Sequence, residues 1–261
     1  LKCPVSLKGA DFLTILKNLN RMGYIIEWKV INAGDYNMPQ RRRRIFILGY
    51  HKTSELYAEA KKTKDLWLKT DGVLAKAFKS MYQETIKSNM KKMSEYKAFY
   101  KERLTRDVSK LSEFDKNTLL AEDKKILSPF QNSGMLIEGK IITYKHNPVP
   151  IKNTNPMKKF LETKKKNIPE EFIVTKEQYK QKWEKARGSK KETRTSPDGL
   201  YTYTWSEGSM SEYDSIDKPA RTIITSEGGS AASRTKHIIK YGKQYRRLLP
   251  IELDQLNMFK K

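Results

Sequence analysis

Pro39-Gln40-Arg41-Arg42-Arg43-Arg44 stands between two apolar runs, Tyr24-Ile25-Ile26-Glu27-Trp28-Lys29-Val30-Ile31 upstream and Ile45-Phe46-Ile47-Leu48 downstream. The intervening Asn32-Ala33-Gly34-Asp35-Tyr36-Asn37-Met38 is rich in turn formers, so the unit is predicted to be two strands joined by a loop. Four arginines entering a buried strand are costly unless an acceptor meets them. A guanidinium fork matches phosphate oxygens, carboxylates and base edges. A solvated basic loop is the plainer alternative.

Working outward, residues 9–22 place Phe12, Leu13, Ile15, Leu16, Leu19 and Met22 at helical spacing, with Gly23 as the stop. From about residue 52 the chain turns Lys-rich, with few glycines or prolines until Pro129, and helices are expected there. Leu66-Trp67-Leu68, Leu74-Ala75-Lys76-Ala77-Phe78 and Tyr96-Lys97-Ala98-Phe99-Tyr100 supply apolar stripes suited to a core. Turn-rich sequence returns at Ser128-Pro129, and Met135 to Tyr144 is predicted to be a β-hairpin around Glu138-Gly139. Lys164–Lys166 and Arg187-Gly188-Ser189-Lys190-Lys191 are expected to be exposed, where they can track phosphates. Tyr201, Tyr203 and Trp205 alternate and would share one strand face, an arrangement more usual in a core than in base stacking.

The chain carries 53 Lys+Arg against 30 Asp+Glu, a net charge of +23, far beyond what solubility needs. Such a field attracts polyanions, and nucleic acid is the natural partner. An A/T-biased genome also raises Lys, so the lysine excess counts for less than the arginines do. No apolar run is long enough to span a bilayer, and no secretory signal pattern opens the chain. The single cysteine excludes an internal disulfide and a cysteine-based metal cluster, which fits a reducing cytoplasm.

The segment from Met22-Gly23-Tyr24 through Asn32-Ala33-Gly34-Asp35-Tyr36-Asn37-Met38-Pro39-Gln40 to Arg44-Ile45-Phe46-Ile47 closely resembles the DNA cytosine-C5 methyltransferases. In that family a strand and the loop Asn-Ala-x-Asp-Tyr-Gly-x-Pro-Gln lead into Gln-x-Arg-x-Arg, motif VIII. Asn37 replaces the usual Gly, and Asn also tolerates a left-handed backbone. A second stretch, Arg246-Arg247-Leu248-Leu249-Pro250-Ile251-Glu252-Leu253-Asp254-Gln255-Leu256-Asn257-Met258-Phe259, is predicted to be an amphipathic helix starting at Pro250. It is similar to the family's motif IX, which organises the target-recognition domain. Leu249, Gln255 and Met258 stand where Thr, Arg and Gly are usual.

The resemblance implies an α/β fold: the C-terminal edge of an S-adenosylmethionine-dependent, Rossmann-like domain, followed by a smaller mixed α+β target-recognition domain. Residues 1–52 would be the catalytic part, 53–240 the recognition domain with a Lys-rich helical insertion, and 241–261 the motif IX helix. Arg42 and Arg44 would sit at the catalytic pocket, supporting a flipped cytosine. Asp217 to Arg234 resembles the end of the recognition domain, where a Thr-Ile dipeptide precedes a glycine-rich loop. Expected DNA contacts are Gln40, Arg221, Thr222, Ser226, Gly228, Gly229, Ser230, Ser233 and Arg234.

The family's chemistry needs a thiolate to attack C6 of cytosine. There the thiol comes from Pro-Cys-Gln, well upstream of motif VIII, whereas Cys3 lies in Lys2-Cys3-Pro4, reversed in order and close to the arginines. Cys3 is therefore not expected to be the nucleophile. The glycine-rich loop that would hold S-adenosylmethionine and the Glu-Asn-Val glutamate are also missing from these residues. Three readings stand: part of a restriction–modification methyltransferase, inactive alone; a specificity subunit partnered by a separate chain carrying the thiol and cofactor site; or a sequence-specific double-stranded DNA-binding protein without catalysis.

Overall fold

A computed structural model of the chain describes residues 10–64, 66–89, 130–150, 154–196, 199 and 202–259. It divides into two compact units. One comprises residues 1–31 and 44–149, and the other residues 32–43 and 150–261. The cut differs from the three-part expectation: the loop before the arginines groups with the C-terminal half, and residues up to 149 group with the hairpin strands. Cys3 and Tyr96–Tyr100 lie outside the described residues.

In the first unit, helix α1 (Ala10–Arg21) buries Phe12, Leu13 and Leu16, and Gly23 ends it at φ +88°. Met22 falls beyond the last turn and is exposed. A five-stranded sheet follows, in the order β2-β1-β4-β5-β3. Its strands are β1 (Tyr24–Asn32), β2 (Arg43–His51), β3 (Ser80–Asn89), β4 (Ser133–Ile137) and β5 (Lys140–Pro148). The pairings β1–β4, β4–β5 and β5–β3 are antiparallel. Strand β1 is buried along most of its length because both of its faces are covered. Ile26 and Trp28 pack with Phe12, Leu16, Phe130, Leu136 and Ile141 on one face. Ile25 joins Tyr50, Trp67, Leu68, Met135 and Tyr144 on the other. Each such side chain, fully buried, contributes about 1.5–3 kcal/mol.

Two charged residues share the second face. Glu27 accepts from the Tyr50 hydroxyl at 2.6 Å and from Trp67 Nε1 at 3.2 Å. Burial pushes its carboxyl above the usual range, against the pull of those two bonds and of Lys29. Lys29 donates to the Phe78 carbonyl at 2.7 Å. Burial brings its ammonium down to about 8, against the opposing charge of Glu27.

The hairpin at Glu138-Gly139 forms as expected, joining β4 to β5 with both turn residues left-handed, at φ +46° and +74°. Between residues 52 and 89 the helical expectation holds in part. Helices α2 (Glu55–Thr63) and α3 (Val73–Ala77) flank a π turn at Trp67–Asp71, but Ser80–Asn89 is strand β3. Its residues have no marked strand propensity; the ladder to β5 confers the conformation.

The second unit is loop-rich. Strands β6 (Ile173–Val174), β9 (Ile239–Tyr241) and β10 (Gln244–Arg246) make a small sheet in the order β6-β10-β9. Strands β7 (Lys190–Thr195) and β8 (Thr202–Glu207) form a separate two-stranded ribbon. The helix Pro250–Leu256 packs Leu253 and Leu256 against Met157, Ala220, Ile223, Ile239 and Leu248. Its start is fixed by a buried fork: Arg246 donates to both Glu252 oxygens, at 2.8 and 2.7 Å. The same carboxylate accepts the Leu249 and Glu162 N–H groups, each at 2.7 Å. The Arg and Glu of the second matching stretch are thus spent on internal structure.

Candidate nucleic-acid interface

The loop before the arginines is shaped locally. Asn32 Nδ2 donates to Asp35 at 2.9 Å across a 3-10 turn, Ala33–Tyr36, and Asn37 follows in the left-handed conformation at φ +66°. The turn that Gly usually provides therefore survives with Asn. The chain then runs alongside residues 220–223. The Ala220 N–H donates to Pro39 O and the Arg41 N–H to Ala220 O, both at 2.7 Å, in a parallel bridge. Thr222 Oγ1 donates to Arg41 O at 2.7 Å.

Gln40 is buried, with both ends of its amide engaged. Its Nε2 donates to Asn257 Oδ1 at 2.8 Å, and its Oε1 accepts the Ile223 N–H at 3.2 Å. A side chain so enclosed holds the loop in place instead of facing solvent. Arg41 and Arg42 are exposed. Arg44 belongs to the first unit, at the exposed start of β2.

The glycine-rich loop lies over two cations. Lys236 is buried and donates to Gly229 O and Ala231 O, each at 2.8 Å. Arg247 donates to Gly229 O at 3.1 Å and to Glu171 O at 2.7 Å, with its guanidinium 4.7 Å from the Phe172 ring centre. In a trans peptide the N–H points opposite the carbonyl. Drawing those carbonyls inward therefore turns the Ser230 and Ala232 N–H groups away from the cations, and neither makes a hydrogen bond among the described residues. Ser226, Gly228, Gly229 and Ser230 are exposed, and Ser233 Oγ pairs with Thr235 Oγ1 at 2.9 Å. Outward N–H groups and hydroxyls on such a loop can donate to phosphates or base edges. Beneath it the buried Glu227 carboxylate accepts from His237 Nδ1 at 2.9 Å.

Arg221 and Arg234 were expected at DNA, and the structure turns both inward. Arg221 Nε donates to Asp214 at 2.6 Å and Nη2 to Lys236 O at 2.8 Å. Arg187, expected on the surface, is buried and donates to the other Asp214 oxygen at 3.2 Å. Burial would raise the Asp214 carboxyl, but the Arg221 bond and the charges of Arg221 and Arg187 outweigh it and hold it below the usual range. Arg234 bridges the two feet of the β7–β8 ribbon, donating to the carbonyls of Gly188 and Gly208. Tyr203 and Trp205 lie on that ribbon and join no core cluster; Tyr201 lies outside the described residues. Lys236 and Asp214 lie in neither family motif, and nothing in their residue type names the carbonyls and guanidinium groups they bind.

Two open clefts occur here, one lined by Ser211–Asp217 and Lys240, the other by residues including Tyr179, Arg187 and Met210. Neither has the glycine-rich turn from strand to helix that holds a nucleotide-like donor, and no such turn occurs among the described residues. No helix among the described residues is long and apolar enough to cross a membrane.

The family model described as C-5 cytosine-specific DNA methylase matches residues 6–261, so the chain belongs to that family. It is 34% identical to the type II methyltransferase M.Sau3AI of Staphylococcus aureus, over 99% of this chain and 56% of that protein. Shorter stretches are similar to M.DsaV of Dactylococcopsis salina, 35% identical over 30% of this chain and 23% of that protein, and M.NlaIV of Neisseria lactamica, 40% over 20% and 12%. The chain thus spans little more than half of M.Sau3AI and less of the others. No solved structure matches it.

Proposed function

We propose that these residues are the DNA-reading part of a restriction–modification cytosine-C5 methyltransferase, joined to the last hairpin of its Rossmann-like catalytic domain. The observation that carries this reading is the segment Pro39–Arg41, bonded to Ala220, Thr222, Ile223 and Asn257. That arrangement ties the residues just before Arg42 to the segment that precedes the glycine-rich loop. Arg42 and Arg44 act on the flipped cytosine. Gln40, Arg221 and Arg234 position the loops, while Ser226, Gly228, Gly229, Ser230 and Ser233 face the duplex; Thr222 lies beside them.

Double-stranded DNA is the partner, and the net charge of +23 supports it. When bound to the complete enzyme, S-adenosylmethionine supplies the methyl group; that site and the attacking thiol are assigned to other residues of the enzyme, in the cytoplasm. Duplex binding by this chain across a salt series tests the DNA assignment. The logarithm of affinity should fall linearly with the logarithm of salt, by about 0.9 per phosphate neutralised. Binding indifferent to salt, or none, would remove it.

A further inference from the structure

The β7–β8 ribbon has two unlike faces. Its register pairs Lys191 with Ser206, Thr193 with Thr204 and Thr195 with Thr202, so these six side chains share one face. The opposite face carries Lys190, Glu192, Arg194, Tyr203, Trp205 and Glu207. Its charges are largely spent internally. Arg194 donates to Glu192 at 2.9 Å and lies 3.5 Å above the Trp205 ring centre, while Glu207 pairs with Arg234 at 3.3 Å.

The hydroxyl face differs in its chemistry. All six side chains are exposed, and none makes a hydrogen bond among the described residues. It holds one cation, Lys191, and no carboxylate. A lone two-stranded ribbon is marginal in water, yet this one is held at its root, where Arg234 grips the carbonyls of Gly188 and Gly208. The same Arg234 ends the glycine-rich loop, so loop and ribbon are braced by one side chain.

We propose that the hydroxyl face of this ribbon enters the DNA major groove and determines sequence specificity, with Thr193 and Thr204 at its centre. The inference rests on the DNA-reading assignment above. A major groove about 12 Å wide admits a two-stranded ribbon, and threonine offers a hydroxyl to base edges and a methyl to thymine. A face with a cation and no carboxylate suits a polyanion; the acidic groups are kept on the other side.

The test is selection by the 261-residue chain from a library of duplexes with a randomised centre. The unaltered chain should enrich one sequence. Thr193→Val with Thr204→Val keeps the β-branched shape while removing both hydroxyls, and should lower that enrichment about tenfold or more while leaving total binding at low salt. Thr193→Ser with Thr204→Ser should retain most of the enrichment, which separates lost contacts from a lost fold. Glu192→Gln, on the other face, should change nothing. Full enrichment by the valine variant would overturn the proposal, as would a dimer that the valine changes dissociate while enrichment persists. If the unaltered chain binds no duplex, the DNA-reading assignment itself falls and the ribbon's role with it.

Discussion

Gln40 and Asn257 lie 217 positions apart and share a 2.8 Å hydrogen bond, amide to amide. Both belong to the second unit, so the loop before the arginines is built as part of the C-terminal half. Gln40→Ala would leave the buried Ile223 N–H without its acceptor. An unsatisfied buried donor costs about 1–3 kcal/mol. Chemical denaturation should show a loss of that size; a midpoint within error of the parent would mean the clamp contributes nothing.

Gly134 faces Trp28 across the β1–β4 ladder. A Cβ there would come within 2.3 Å of the indole and 2.5 Å of the Ile142 carbonyl, so the glycine is required by close approach. Gly134→Ala should destabilise the first unit by about 1–3 kcal/mol, the range for overpacking. Thermal unfolding with unchanged stability would show that the indole can move aside at no cost.

Lys29 gives the first unit a pH dependence of known sign. Its folded ammonium titrates at about 8, against 10.5 for the ordinary value. Between those values the unfolded chain binds more protons, so stability rises as pH rises through the window. The full difference is roughly 3 kcal/mol at about 1.4 kcal/mol per unit. Melting temperatures at pH values from about 8 to about 10 should climb, and Lys29→Met should flatten that climb relative to the parent. Lys29→Met also loses the Phe78 bond and so moves every melting point; the slope is the readout. An unchanged slope would place the titration elsewhere.

Helix α1 and the Glu138-Gly139 hairpin were legible because local periodicity and turn chemistry specify them. The arginine loop was legible from its motif, down to the left-handed turn at Asn37. The cradle of Lys236 and Arg247, and the Asp214 network, were not. Arg247 reaches Glu171 and Arg187 reaches Asp214 across long stretches of chain, and a lysine that grips two nearby carbonyls looks in sequence like any surface lysine. Gln40, Arg221 and Arg234 show the same limit: residue type announces hydrogen-bonding capacity without saying which partner takes it. Strand β3 was hidden because its ladder with β5 outweighs its polar composition.

Arg44 sits at the exposed start of β2. In the complete enzyme, Arg44→Ala should slow turnover about ten- to hundredfold, since charge-assisted hydrogen bonds are worth about 1.5–3 kcal/mol, while duplex affinity changes little. Steady-state methyl transfer separates the two; full turnover would leave Arg44 a solvated side chain at the strand end, with no part in the reaction.

On the proposed function, duplex reading lies in these residues, and the thiol and methyl donor lie elsewhere in the same enzyme. Bisulfite sequencing of DNA exposed to the complete enzyme, and separately to the 261-residue chain alone, tests that most directly. The complete enzyme should protect one cytosine within one short sequence, and the chain alone should protect none. Methylation by the chain alone that is lost on Cys3→Ser, or no cytosine methylation by the complete enzyme, would contradict it.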